Sequence, residues 1–125
     1  MKLHRQRDEL HNIIHAYGPQ GIVIGGITHG SAVLVAPDWL ESPWGPMGLD
    51  DLRPEHFARF HGSAPQILLL GTGCRQRFPD RSLLGALRER NLHPEIMDTS
   101  AACRTYNILV GEDRDVVAAL LPPSA

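Results

Sequence analysis

Long apolar runs are missing from this chain. Its apolar stretches reach only about five residues, far short of the ~20 that a membrane-spanning helix needs, so no membrane insertion is expected. Cysteine is scarce as well: Cys74 and Cys103 cannot build a disulfide framework, and the histidines show no zinc-like Cys/His spacing. Neither sign of charge dominates. A formal net charge of −2 offers no basic stripe to neutralise phosphates, which argues against nucleic acid as a partner. Arg75, Arg77 and Arg81 make a local basic patch at most, and the runs Arg5-Gln6-Arg7 and Asp50-Asp51 are too short to be interaction tails. Met1–Leu10 has no apolar h-region, and Asp8 and Glu9 disfavour a transit peptide; the expectation is a cytoplasmic protein.

The catalytic vocabulary is thin too. No serine lies in G-x-S-x-G, and Asp113 and Asp115 belong to an ordinary charged turn. No carboxylate pair stands in an apolar setting to serve as general acid and base. No catalytic residue is nominated, and neither metal nor cofactor is expected. His11 and His15 would share a face on a helix, but this stretch reads as a strand, which separates them by ~13 Å.

What is there suits one domain, residues 1–125: an apolar content of 42% and a length able to bury a core. The first third holds three short β-branched runs, His11–Tyr17, Gly21–Ile27 and Ser31–Ala36, separated by glycine-rich turns. They predict a three-stranded antiparallel meander closed by Pro37, whose nitrogen cannot extend a ladder. Asp38–Leu52 reads as a long irregular loop containing Trp39 and Trp44. Pro54 opens a short helix with Phe57 and Phe60 on one stripe, ended by Gly62.

The second half reads strand, helix, strand, helix, strand. Ile67–Leu70 is a run buried on both faces, and Pro79–Arg90 a helix with Leu83, Leu84 and Leu87 inward. After a strand at Glu95–Met97, Thr99 caps a helix carrying Ala102, Tyr106, Leu109 and Val110 at helical spacing and ending at Gly111. Val116–Leu121 is the last strand. The pattern predicts an α/β fold, a sheet covered by helices whose first crossover is right-handed and parallel, following the antiparallel meander.

Gly71-Thr72-Gly73 follows the buried strand, where open α/β sheets bind ligands. Its backbone, with Arg75 as a clamp and Asp98 and Thr99 after the next strand, is the candidate site for a small anion or nucleotide. The dinucleotide fingerprint is incomplete, because Gln76 replaces the third glycine and the helix starts late. Cys74 and Cys103 would lie at one sheet edge, where a helix N-terminus and Arg75 or Arg104 could lower a thiol pKa and make a redox pair conceivable; two unrelated reduced thiols are the favoured reading. Trp39 and Trp44 are either a protein-docking surface or a cover for the meander.

Several blocks carry a family likeness. Leu68-Leu69-Leu70-Gly71-Thr72-Gly73 with Gln76-Arg77-Phe78-Pro79 forms one half. Met97-Asp98-Thr99, Ala102, Thr105-Tyr106-Asn107, Leu109 and Val116–Leu120 form the other, with Tyr17-Gly18 and Ser31–Pro37 upstream. Together they resemble the NADH dehydrogenase (complex I) assembly factor 3 family, in its bacterial and archaeal branch of unknown function. The resemblance implies a three-layer α/β fold, an N-terminal antiparallel β-meander packed with a mixed β-sheet flanked by helices (a Rossmann-like half), together with no known enzymatic activity and protein partners. It also implies that Tyr106 and Leu109 bury the inner face of their helix while Asn107 or Thr105 satisfies neighbouring backbone. The leading expectation is a non-enzymatic interaction or respiratory-complex assembly module, with a homo-oligomer left open. The alternative is an anionic-ligand or nucleotide binder at Gly71–Arg75.

Overall fold

Alternation along three strands decides the architecture, which a computed structural model describes for residues 11–125. Val116, Ala118 and Leu120 share one hydrophobic cluster, whereas Val117, Ala119 and Leu121 share another. Val33 and Val35 alternate with Leu34 and Ala36 in the same way, as does Leu69 with Leu68 and Leu70. Successive strand side chains point to opposite faces, so these strands are buried on both sides. They form the middle of a five-stranded sheet.

The strands are β1 (Ile14–Gly18), β2 (Gly21–Ile24), β3 (Ile27–His29), β4 (Val33–Ala36), β5 (Trp39–Glu41), β6 (Ile67–Gly71), β7 (Glu95–Met97) and β8 (Val116–Leu120). The helices are α1 (Arg81–Glu89) and α2 (Thr99–Gly111). The large sheet runs β5-β4-β8-β6-β7, with β8, β6 and β7 parallel and β4 antiparallel to both β5 and β8. A separate antiparallel sheet runs β1-β2-β3. Leu83 and Leu87 of α1, with Phe57 and Phe60, cover one face of the large sheet. Ala102, Cys103, Tyr106 and Val110 of α2, with Ile14, Ile22 and Ile24 of the small sheet, cover the other. These are the three layers expected.

The meander differs in composition from the expected one. The run Gly21–Ile27 folds back on itself at Gly25-Gly26, whose φ values of 59° and 80° suit a two-residue hairpin turn. The meander is therefore β1-β2-β3, and the third expected strand leaves it as β4, drawn into the large sheet by pairing with β8. Pro37 sits with Asp38 in a two-residue turn to β5, so part of the expected loop, Trp39 included, is an edge strand. Phe57 and Phe60 are buried as expected, but Pro54–Phe60 is 3-10 helix, in which residues three apart stack in line. α1 begins at Arg81 with Asp80 at its N-cap, later than Pro79. The basic run Arg5-Gln6-Arg7 and the features read in Met1–Leu10 lie outside the described residues.

Candidate functional site

β6 lies between β8 and β7, and the chain reaches these neighbours through α1 and α2 on opposite faces. The carboxyl ends of β6, β7 and β8 thus converge where an open α/β sheet holds ligands. Gly71-Thr72-Gly73, Asp98 and Thr99 do come together here, as the sequence places them. What fills the crevice is the protein itself.

Thr99 is fully buried. Its Oγ1 accepts the Gly73 N–H at 2.9 Å and donates to the Leu121 carbonyl oxygen at 2.8 Å. Its own N–H donates to the Gly73 carbonyl oxygen at 2.9 Å. Gly71 must lack a side chain, because a Cβ there would lie 2.9 Å from both Cα and Oγ1 of Thr99. Gly73, at φ 105°, faces Ala125, whose carbonyl oxygen accepts the Cys74 N–H at 3.0 Å. The Thr72 N–H reaches the Met97 carbonyl oxygen, and its Oγ1 donates to the Arg75 carbonyl oxygen at 2.7 Å while accepting the Arg77 N–H at 3.1 Å.

Asp98 is similarly occupied. Its Oδ1 accepts the Ala101 N–H at 2.8 Å, so Asp98 rather than Thr99 is the N-cap of α2. That bond gives the carboxylate a structural role at the start of α2. Of the six residues nominated for a ligand, only Arg75 is exposed. The amides of Thr72, Gly73, Cys74 and Arg77 are bonded to Met97, Thr99, Ala125 and Thr72 within the protein, so these four do not converge on an open cradle.

The aromatic pair separates. Trp44 is 5% exposed, packs edge-on against Phe57 at 5.4 Å, and donates its indole N–H to the His56 carbonyl oxygen at 2.9 Å. It is a core residue, which corrects its docking assignment. Trp39 is half-buried, with the Arg59 guanidinium 3.7 Å above its ring and Arg59 in turn bonded to Glu41 at 3.0 Å.

The cysteines separate also. Cys74 is exposed and Cys103 fully buried. Burial pushes the Cys103 thiol up to about 12, against the smaller lowering effect of Arg104. Activation by the helix N-terminus, the minor reading of this thiol, fails because desolvation of a thiolate costs more. Exposed Arg104 is engaged with the Tyr17 hydroxyl at 3.1 Å, and that hydrogen bond raises its own pKa.

Two further features were not read from the sequence. One is a clamp: Asn107 on α2 accepts the Ile14 N–H at 3.0 Å and donates to the Ile14 carbonyl oxygen at 2.7 Å. Beside it the Tyr106 hydroxyl donates to the Asn12 carbonyl oxygen at 2.8 Å, while Asn12 Nδ2 donates to carbonyl oxygens of Ala36 and Trp39. Only the satisfying role of Asn107 was implied, by the family likeness. The other is a contact of 2.7 Å between His29 Nδ1 and Ser42 Oγ. Nε2 of His29 has no partner among the described residues, so no carboxylate orients the ring as an activated serine requires. His15 is exposed on β1 and His11 precedes that strand; among the described residues no three His, Cys, Asp or Glu side chains gather to hold an ion. Nor is any described helix long and apolar enough to cross a membrane.

The fold recurs in solved proteins, and the sequence matches a known family. A family described as "Protein of unknown function (DUF498/DUF598)" matches residues 14–121. The chain belongs to this family. It is 36% identical over 116 residues to NADH dehydrogenase (ubiquinone) 1 alpha subcomplex assembly factor 3 of Danio rerio, covering 90% of this chain and 66% of that protein. The chain therefore spans just under two thirds of that relative's length. A crystal structure of a Bordetella parapertussis protein is 37% identical with a TM-score of 0.79, covering 90% of this chain and 96% of that one. A Bordetella pertussis protein described as a Mth938-like domain is 30% identical with a TM-score of 0.76, covering 90% and 87%. The fold of this DUF498/DUF598 member is thus Mth938-like.

Proposed function

We propose that this chain is a protein-docking module that acts without catalysing a reaction, in the manner of an assembly factor. The observation that carries the proposal is the relation across 90% of the chain to a protein named as a complex I assembly factor. A second consideration supports it: the polar groups at the ligand-binding end of the sheet are bonded to one another. Thr72, Asp98 and Thr99 each hold a backbone N–H or carbonyl in place. A module of this kind supplies a rigid surface to subunits of a larger assembly, and subunits of a respiratory complex are the class the relative's name favours.

Quantitative affinity capture of the tagged chain from its own cells tests this. The expected result is a reproducible protein partner in stoichiometric amount. Recovery of the chain alone contradicts the proposal. Calorimetry against a panel of nucleotides and sugar phosphates is expected to give no saturable heat; a saturable heat abolished by Arg75→Ala would instead assign the turn to a ligand.

A further inference from the structure

We propose that two copies of this chain pair edge to edge through β3, antiparallel about Thr28, in a weak two-fold dimer. The proposal goes beyond the docking role above and does not depend on it. An unpaired sheet edge is a template for another strand unless the protein guards it. The two sheets end in β1, β3, β5 and β7, and three of these are guarded. On β1, Asn107 takes both the N–H and the carbonyl oxygen of Ile14. On β7, Gln76 Nε2 donates to the Ile96 carbonyl oxygen at 3.0 Å. On β5, Glu41 is paired with Arg59 at 3.0 Å, and charge at an edge opposes strand addition. β3 carries no such guard: Ile27, Thr28 and His29 include no Asp, Glu, Lys or Arg, and no side chain among the described residues bonds to their backbone.

The register shows what this edge offers. A two-residue loop makes Ile24 and Ile27 a hydrogen-bonded pair, so Val23 and Thr28 form the next, non-bonded pair. The N–H and carbonyl of Thr28 therefore point away from β2, and the residue is exposed. Gly26 and Gly30, to either side, put no side chain in the path of an approaching strand. Two copies related by a two-fold axis at Thr28 can exchange both of these backbone bonds. Residues 25–30 are free of Asp, Glu, Lys and Arg, so no like charges meet across the axis.

Pairing also covers apolar surface left bare at this end. Five large apolar side chains are exposed among the described residues, and three flank this edge: Ile27 at 63%, Leu40 at 36% and Met47 at 83%. Ile27 is in register with Ile24, and Leu40 with Val35, so each faces the side of its sheet that builds the buried cluster of Ile24 and Val35. The 2.7 Å contact between His29 and Ser42 brings the end of β3 to the residue that follows β5. In the antiparallel register the other copy's Ile27 lies opposite His29, beside a hollow of about 260 Å³ that begins at Gly30. Ala32, Pro43, Pro46, Met47 and Pro122 line this hollow, and no charged side chain does. An isoleucine anchored there is desolvated against apolar surface.

Sedimentation equilibrium of the purified chain from about 1 to 500 μM tests the proposal. One exchanged pair of backbone bonds and a small apolar contact give a reversible dimer with a micromolar dissociation constant. Thr28→Pro deletes the outward N–H, and Ile27→Lys puts a charge on the edge. Each should raise the dissociation constant about tenfold or more without unfolding the monomer, because neither removes a bond to β2. In a Cys74→Ser chain, Thr28→Cys should form an intermolecular disulfide on mild oxidation, since hydrogen-bonded partners stand ~5.5 Å apart at Cα. His15→Cys, exposed on β1, should not. A monomer throughout the range, a dimer indifferent to both edge substitutions, or equal crosslinking at positions 15 and 28 would overturn the proposal. A monomeric chain that still captures a different protein would overturn it and leave the docking role standing.

Discussion

The Thr99 hydroxyl accepts the Gly73 N–H at 2.9 Å, and through that bond the turn after β6 is fastened to the start of α2. The same hydroxyl donates to the Leu121 carbonyl oxygen, so one buried oxygen joins three segments. The glycine turn is thereby a structural joint at the position where related topologies hold a ligand.

Thr99→Val keeps the shape and removes the hydroxyl, stranding a buried donor and a buried acceptor. Unfolding free energy from urea titration should fall by about 2–4 kcal/mol, whereas Thr99→Ser should recover most of it. Equal stability of the Val variant and the wild type would show that the joint is dispensable.

Two glycines provide a contrast. Gly71→Ala brings a Cβ to 2.9 Å from Thr99 backbone and should destabilise the fold by about 1–3 kcal/mol. Gly85→Ala, inside α1 with nothing within 4 Å of the added carbon, should stabilise it by about 0.5–1 kcal/mol. Thermal unfolding of the two variants should shift in opposite directions.

Asn107→Ala removes both bonds that tie Ile14 to α2, with an expected cost of about 1–3 kcal/mol. Because the clamp holds the β1-β2-β3 sheet, hydrogen exchange should accelerate first at the Ile14 amide. Uniform acceleration across both sheets would mean that the small sheet does not open separately.

Burial raises Cys103 to about 12 from an ordinary 9.0, and it raises Tyr106 as well. A folded-state pKa above the unfolded one means that the unfolded chain releases its proton first as pH rises. The stability these groups contribute is therefore complete below about pH 9 and is lost as pH climbs toward 12. Chemical denaturation across that range should show the decline. At pH 8, iodoacetamide should label Cys74 and leave Cys103 unmodified until the chain unfolds.

Local periodicity made most of this fold legible. α2 was readable because Ala102, Tyr106 and Val110 recur at helical spacing, and β6 because four apolar residues in a row suit a doubly covered strand. The partner of β4 was not readable: Val33–Ala36 looks the same whether it pairs with β2 or with β8, some eighty residues away. The hairpin at Gly25-Gly26 did carry a signal, two adjacent glycines between β-branched residues. The residues of the candidate site were correctly brought together, but what fills the crevice was hidden. A threonine one position past an N-cap reads as a cap, and only the tertiary approach of Gly73 and Leu121 turns it into a joint. The burial of Trp44 and Cys103 was hidden for a related reason, since neither loop membership nor nearness to a helix start reports it.

The central claim is that this chain works in a complex with other proteins. Sedimentation velocity of the fluorescently tagged chain at native abundance in fresh extract tests it most directly. The account predicts a species well above the 13.8 kDa chain and its tag, collapsing toward that size when the partner is depleted. A single species at the size of the tagged chain alone, in every growth condition, would contradict it.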